Sequence, residues 1–370
     1  MLSLLACVLV SCGQRQKEGI APWGETQQAT DSFDLEQIVG SGELIALTLT
    51  GPDSYYDYHG RHLGTHYLLC QQFCQQQGIS LRVEVCRDTA EMRRRLVNGE
   101  ADVICYPLQS TALGWEVGPG KDALRQAIAQ WYRPTMADSM RRLEAQLLST
   151  GAVKRRVFSP MLNAKGGVIS HYDALFQQHS RQLRWDWRLM AAQCYQESTF
   201  DPQAHSWAGA CGLMQIMPAT ADHLGLARTD IYDPEKNIAA AARYLAELEQ
   251  SFADVGNRQE RLKFVLAAYN GGAHHVRDAM ALAASQGRSS QRWADVRRSV
   301  LQLAEPAYYN DPVVHNGYMR GSETAAYVDR IMERWNVYRG VRVRSSATVG
   351  GTPQRAATKK SRYSLRAPEQ

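Results

Sequence analysis

The stretch from Cys194 to Pro218, CYQESTFDPQAHSWAGACGLMQIMP, decides how this chain is read. It holds a single glutamate, Glu197, at the end of a run that starts at Arg184 (RWDWRLMAAQCYQES). A helix over that run puts Trp187, Met190, Ala191 and Cys194 on one face. Thr199-Phe-Asp-Pro202 breaks it, so Glu197 falls in the last turn, beside unpaired carbonyls at the negative end of the helix dipole. A carboxylate is disfavoured there, and partial burial raises its proton affinity further. Both effects favour a protonated acid near neutral pH, as a general acid on a glycosidic oxygen requires. Most glycosidases use two carboxylates; this motif has one glutamate.

Working outward, the glycines of Ala208–Pro218 (AGACGLMQIMP) let backbone approach a ligand closely. Met214 offers an adaptable apolar contact, and Gln215 can both donate and accept hydrogen bonds. Pro218 suits the first position of a following helix. Phe264–Gly272 (FVLAAYNGG) ends a helix on a double glycine and presents Tyr269 and Asn270 from that terminus. Gly321–Ile331 (GSETAAYVDRI) starts a helix with Ser322 as its cap and sets Glu323 and Tyr327 at i,i+4 on one face. From about residue 172 to 340 the pattern is helix after helix.

Read in order, E-S, a serine nine residues on, G-A-x-G-L-M-Q-I-M-P, A-A-Y-N-x-G and E-x-x-x-Y-V resemble the family 1 soluble-type lytic transglycosylases, over about residues 175–338. The resemblance implies an all-α, lysozyme-like (goose-type) domain. It also implies cleavage of the β-1,4 bond between N-acetylmuramic acid and N-acetylglucosamine in peptidoglycan, leaving 1,6-anhydromuramoyl ends. Glu197 would be the catalytic acid and then base, with Ser206 hydrogen-bonding near it. Met214, Gln215, Tyr269, Asn270, Glu323 and Tyr327 would line the glycan cleft, with Ser198 beside the acid. Neither a metal nor an organic cofactor is implied. Plainer readings stand beside these: Ser198 as a helix-end hydroxyl, Met214 and Tyr327 as core residues, and Glu323 as a partner for Arg320. Trp293, Tyr308 and Tyr309 fit aromatic packing better than sugar stacking.

The first half has a different rhythm. Glu43–Thr50, Ile79–Cys86 and Ala101–Tyr106 read as strands, with helices over His66–Gln77 and Thr89–Asn98 between them. That alternation indicates a parallel α/β unit. GELIALTLTGPDSYY, the His66–Gln77 helix and LVNGEADVI resemble the first lobe of family 3 periplasmic solute-binding proteins. The chain reaches Trp115 with no room for a second lobe, and the carboxylate-gripping arginine of that family has no counterpart in YPLQSTALGWEV. This lobe therefore reads as a remnant or docking module. The expected fold is α+β in two domains: an α/β lobe over 42–150 and a helical catalytic domain over 155–340.

Residues 1–12 are apolar up to Ser11, about half of what a membrane-spanning helix needs, so they fit a signal-peptide core. Leu9-Val-Ser-Cys12 resembles the lipobox of bacterial lipoproteins, which makes Cys12 the expected lipidation site. No Lys or Arg precedes the run, which departs from that pattern. Residues 13–41 read as a linker. The net charge of +5 sits in a basic tail over 341–370, where seven Lys and Arg face Glu369 alone; the remainder is near −1. A nucleic-acid-binding core is thereby disfavoured. The expected partners are glycan strands, a membrane reached through the N-terminal lipid, and other cell-wall enzymes. The expected location is the outer-membrane face of the bacterial periplasm. Six further cysteines (70, 74, 86, 105, 194 and 211) show no metal-ligand spacing and read as small buried apolar residues. Two rivals remain: a lysozyme-like muramidase using Glu197 with Asp201 or Asp222, and a non-catalytic, lipid-anchored glycan-binding or sensing protein.

Overall fold

The structure is a computed structural model that describes residues 33–109, 112–149 and 153–340. The expected signal peptide, the Cys12 lipidation site and the basic tail lie outside the described residues. The described residues form two compact units, one comprising those from 33 to 57 together with those from 62 to 148, the other comprising Tyr58–Arg61 and those from 149 to 340.

In the first unit, α1 (Leu35–Ser41) leads into β1 (Glu43–Thr48). The sequence pattern places these residues in the linker over 13–41, but Asp34 caps them with a capping box and Ile38 is buried in the core. Next come β2 (Tyr56–Tyr58) and β3 (Arg61–Leu63), whose Tyr58 and Arg61 belong to the second unit, then α2 (Thr65–Gln77), β4 (Ser80–Val85), α3 (Thr89–Val97), β5 (Val103–Ile104) and β6 (Glu116–Val117). The unit closes with α4 (Asp122–Trp131) and α5 (Pro134–Leu147).

The main sheet has the order β4-β1-β5-β6, with β1 parallel to both neighbours and β6 antiparallel at the edge. The alternation of β1 explains its central place. Leu44 and Ala46 pack with Leu69 and Phe73 of α2 on one face, and Leu47 packs with Met92 and Leu96 of α3 on the other. Asp102, at the foot of β5, accepts the Ile45 N–H (2.8 Å) and pairs with the buried Lys121 ammonium (3.0 Å). A buried pair with its lone pairs and protons satisfied is tolerable where a lone charge is not.

Among the described residues the second unit is mainly helical, with β7 (Val153–Lys154) and β8 (His205–Ser206) pairing antiparallel. Its helices are α6 (Asp173–Leu183), α7 (Trp187–Ser198), α8 (Pro218–His223), α9 (Pro234–Ser251), α10 (Arg258–Gly271), α11 (Ala273–Ser285), α12 (Trp293–Gln302), α13 (Pro306–Tyr309) and α14 (Gly321–Tyr338). One core joins Leu189–Ala192 and Cys194 of α7 to Ile238, Leu245, Phe264, Val265, Val328 and Ile331. α7 packs on α6 and α14, so its C-terminus is held from two sides.

Two boundaries differ from expectation. α7 begins at Trp187 rather than Arg184, because Asp186 caps it by accepting the Arg188 N–H and Arg184 (φ 54°) closes α6. α14 begins at Gly321 with Arg320 before it, so Ser322 is not the cap. A Cβ at Gly321 would lie 1.7 Å from the Val300 carbonyl oxygen, so this helix start requires glycine for close approach.

Candidate active site

Glu197 sits in the last turn of α7, partly buried. The helix stops after it because Thr199 and Phe200 both adopt positive φ (53° and 65°). A bulky residue in that region is strained by about 1–3 kcal/mol, and the turn is held by packing, since both side chains are buried. The Tyr327 hydroxyl, from α14, donates to Glu197 Oε1 at 2.5 Å. Gln193 Nε2, one turn earlier on α7, donates in turn to the Tyr327 oxygen at 3.2 Å. Burial pushes the Glu197 carboxyl up to about 7, against the opposing effects of the Tyr327 hydrogen bond and the fields of His59 and Arg155. A carboxyl near that value is poised to give a proton and take one back close to neutrality.

Tyr327 itself is held well above its ordinary value, by burial first and by Glu197 beside it, so it stays a hydroxyl donor. Glu323, one turn earlier on α14, takes the opposite state. Burial pushes it up, but bonds from His59 and Tyr58 and the Arg320 charge outweigh this and hold it below the usual carboxylate range. Tyr58 donates to Glu323 Oε1 at 3.0 Å, and His59 Nε2 lies 3.4 Å from the same oxygen. The Tyr58 ring stacks on Trp207 with centroids 5.9 Å apart, and Arg61 Nε donates to the Ala208 carbonyl at 3.0 Å. Two carboxyls on facing elements are thus driven apart in proton affinity, the arrangement that separates an acid from a fixed charge.

The loop after β8 is shaped by Asn237 of α9, which is fully buried. Its Oδ1 accepts the Met214 N–H (2.9 Å), and its Nδ2 donates to the Ile231 and Cys211 carbonyls (2.7 and 3.2 Å). Gly212 (φ 78°) passes so close that a Cβ would lie 2.5 Å from that amide. Gln215, also at positive φ (49°), donates to the Ala204 and Gly212 carbonyls, while its Oε1 is buried without a partner. Tyr269 donates to the Met214 carbonyl (2.8 Å), and Asn270 Oδ1 accepts from the Thr324 hydroxyl (2.8 Å). Ser206 Oγ accepts the Ala210 N–H, closing the turn that follows β8.

Two expected cleft contacts lie elsewhere. Ser198 is fully buried and donates back to the Cys194 carbonyl (3.1 Å), the helix-end reading of that hydroxyl. The Met214 side chain is fully buried in the core, and only its main chain serves the loop. Trp293 packs edge-on against Phe264 in the same core. Sequence reasoning passed over Gln193, Tyr58, His59, Arg155 and Asn237. Gln193 carried one signal, its place one turn before Glu197 on the same side of α7; the others act across long sequence separations.

All six cysteines among the described residues are free. Among the described residues, no group of three His, Cys, Asp or Glu is arranged to hold a metal, and no helix is long and apolar enough to cross a membrane.

Residues 174–291 match the Transglycosylase SLT domain family model, a span that includes Glu197, Gln215 and Asn270. The chain is 32% identical over 240 residues to a membrane-bound lytic murein transglycosylase F of Desulfosudis oleivorans, covering 63% of this chain and 51% of that protein. It is 37% identical over 212 residues to the protein of the same name from Yersinia enterocolitica, covering 57% and 42%. The chain therefore spans about half the length of the curated relatives it matches. Among solved structures, the 70 kDa soluble lytic transglycosylase of Escherichia coli aligns over 59% of this chain and 30% of its own, at 24% identity and a TM-score of 0.34.

Proposed function

We propose that this protein is a peptidoglycan lytic transglycosylase, a lyase that cleaves the muramoyl β-1,4 bond and leaves a 1,6-anhydromuramoyl end. The observation that carries this reading is Glu197, pushed up to about 7 and hydrogen-bonded to Tyr327 at 2.5 Å. Glu197 first gives its proton to the leaving glycosidic oxygen as the bond to C1 breaks. The positive charge left on the muramoyl ring is offset by its own N-acetyl group and by nearby main-chain dipoles. The ionised Glu197 then takes the proton of the C6 hydroxyl, whose oxygen closes onto C1. The proton inventory balances on one carboxyl, and the nucleophile belongs to the sugar. Ser206, Gln215, Tyr269, Asn270 and Glu323 line the glycan cleft in this reading. The relatives named as lytic murein transglycosylases support it.

A muramidase reading needs a second carboxylate free to hold water. Asp201 is committed to the Arg156 and Gln203 amides (2.6 and 3.0 Å), and Asp222 to the Arg228 guanidinium at 2.5 Å, which favours the lyase. Mass spectrometry of muropeptides released from cell walls tests the choice. Anhydro-ended products are expected; fragments with ordinary reducing ends would overturn the reading. Glu197→Gln is expected to abolish release while glycan binding persists, whereas a sensing protein would keep its function in that variant.

The finer location follows the same reading. An N-terminal lipid on Cys12 would hold the protein on the outer membrane, facing the periplasm, with the wall as its substrate. The lipobox-like Leu9–Cys12 stretch and the membrane-bound designation of the relatives support this. Radiolabelled palmitate should enter the wild type and not Cys12→Ser.

A further inference from the structure

We propose that Arg155 is a positioning residue for Glu197: its guanidinium donates to the Gln196 and Glu197 carbonyls and so neutralises the C-terminal end of the catalytic helix directly behind the acid. The inference rests on the lyase reading above for its activity assays but not for its titration assay.

The geometry begins with four residues that precede the matched family domain. Val153 and Lys154 pair with Ser206 and His205 as β7 and β8. The Arg156 N–H donates to Asp201 Oδ2 (2.6 Å), and the Arg156 carbonyl accepts the Thr199 hydroxyl (2.7 Å). This strap therefore bridges the two sides of the turn that ends α7. Arg155 lies between those anchors, with Nη1 3.2 Å from the Gln196 oxygen and 2.6 Å from the Glu197 oxygen.

The last carbonyls of a helix lack intrahelical donors and carry the negative end of its dipole. A carboxyl on the final turn feels that field, which raises its proton affinity. A cation bonded to those carbonyls satisfies two orphan acceptors and opposes the field at its source. The remaining groups around Glu197 are Tyr327 and Glu323 from α14, Tyr269 from α10, Cys194 on its own helix and His59. Of these, Tyr327 through its hydrogen bond and His59 act in the same direction as Arg155. Burial still wins, leaving Glu197 at about 7, but Arg155 acts to lower it.

The function follows from the timing of the reaction. Glu197 must be an acid in the first half and a base in the second, so an affinity set too high slows proton return. Arg155 keeps the two halves balanced and holds the turn in place.

The test compares the full-length wild type with Arg155→Ala, Arg155→Gln and Arg155→Lys. Arg155→Gln keeps a donor without charge, and Arg155→Lys keeps the charge. The alkaline limb of kcat/KM for anhydro-product release should move up by about half a pH unit in the alanine and glutamine variants. The lysine variant should return it to the wild-type position. Raised salt should shrink the difference, since Arg155 is exposed. The same displacement should appear in the Glu197 side-chain carboxyl titration followed by carbon-13 NMR, which needs no turnover. Lys154→Ala controls for loss of a neighbouring cation and should leave both midpoints in place. Coincident midpoints in wild type, Arg155→Ala and Arg155→Gln would overturn the inference. An inactive wild type whose Glu197 titration still responds to Arg155 would overturn the lyase reading and leave this one standing. Melting temperatures of the variants separate unfolding from electrostatics, and Arg155→Gln carries the test if the alanine variant does not fold.

Discussion

Tyr327 on α14 and Glu197 on α7 are 130 residues apart and joined by a 2.5 Å hydrogen bond, the Tyr327 oxygen also accepting from Gln193 Nε2. The relay gives Glu197 a fixed orientation and leaves its second oxygen unengaged by Tyr327. Because Tyr327 stabilises the ionised acid, its removal acts on both geometry and proton affinity. Tyr327→Phe should lower kcat by roughly ten- to a hundred-fold and move the alkaline limb of the pH profile upward. A variant with lower kcat and an unmoved limb would show that Tyr327 orients the acid without tuning it.

The raised affinity of Glu197 has a consequence for folding. In the unfolded chain this carboxyl loses its proton near pH 4.5, and in the folded chain near 7. Between those values the folded state binds more protons, so its stability falls as pH rises, by on the order of 3 kcal/mol across the window. The contribution is complete below about 4.5 and gone above about 7. Glu197→Gln removes the dependence. Urea denaturation should find the variant more stable than wild type at pH 8, with the gap closing below pH 5. Parallel stability curves across that range would contradict the assignment of the shift to Glu197.

How much of this site was legible in the sequence depends on how local each signal is. Glu197 in a final turn was readable because an apolar helical period ran into Thr199-Phe-Asp-Pro202. Glu323 and Tyr327 on one face were readable from i,i+4 spacing alone. What each bonds was not, since Tyr58 reaches Glu323 across 265 residues and Gln193 reaches Tyr327 across 134. Capping was misplaced at Ser322 because a good capping residue sits one position inside a start fixed by Gly321 against Val300. Leu35–Ser41 reads as linker because seven residues carry too little periodicity; what anchors them is Ile38 in the core, Leu35 packed beside it and the Asp34 cap. Met214 was read as a ligand contact from its motif, although its main chain does the work and its side chain fills the core.

Asn237 is the residue through which α9 shapes the loop that carries Gln215. Asn237→Ala would leave the Met214 N–H and the Ile231 and Cys211 carbonyls without their partner in a buried place. Each unsatisfied group costs about 1–3 kcal/mol, softened where water enters. The variant should lose roughly 3 kcal/mol of stability, and its KM for glycan should rise more than its kcat falls. An unchanged melting temperature would show that the loop holds its shape without α9.

Gly321 tests how the start of α14 is fixed. It carries no side chain beyond hydrogen, and the helix it opens carries Glu323 and Tyr327. A methyl group there would land 1.7 Å from the Val300 oxygen, a distance that only backbone movement relieves. Gly321→Ala must push α14 away from α12 or unwind its first turn, and a first turn that shifts takes Glu323 with it. A cost of about 3 kcal/mol or more is expected, since backbone cannot rotate out of the way as a side chain does. Gly340→Ala, where a Cβ meets nothing within 4 Å but φ is 73°, should cost about 1 kcal/mol from strain alone. Thermal melts of the two variants side by side separate clash from strain. Equal losses would mean that the α14 start yields more easily than its contact with Val300 implies.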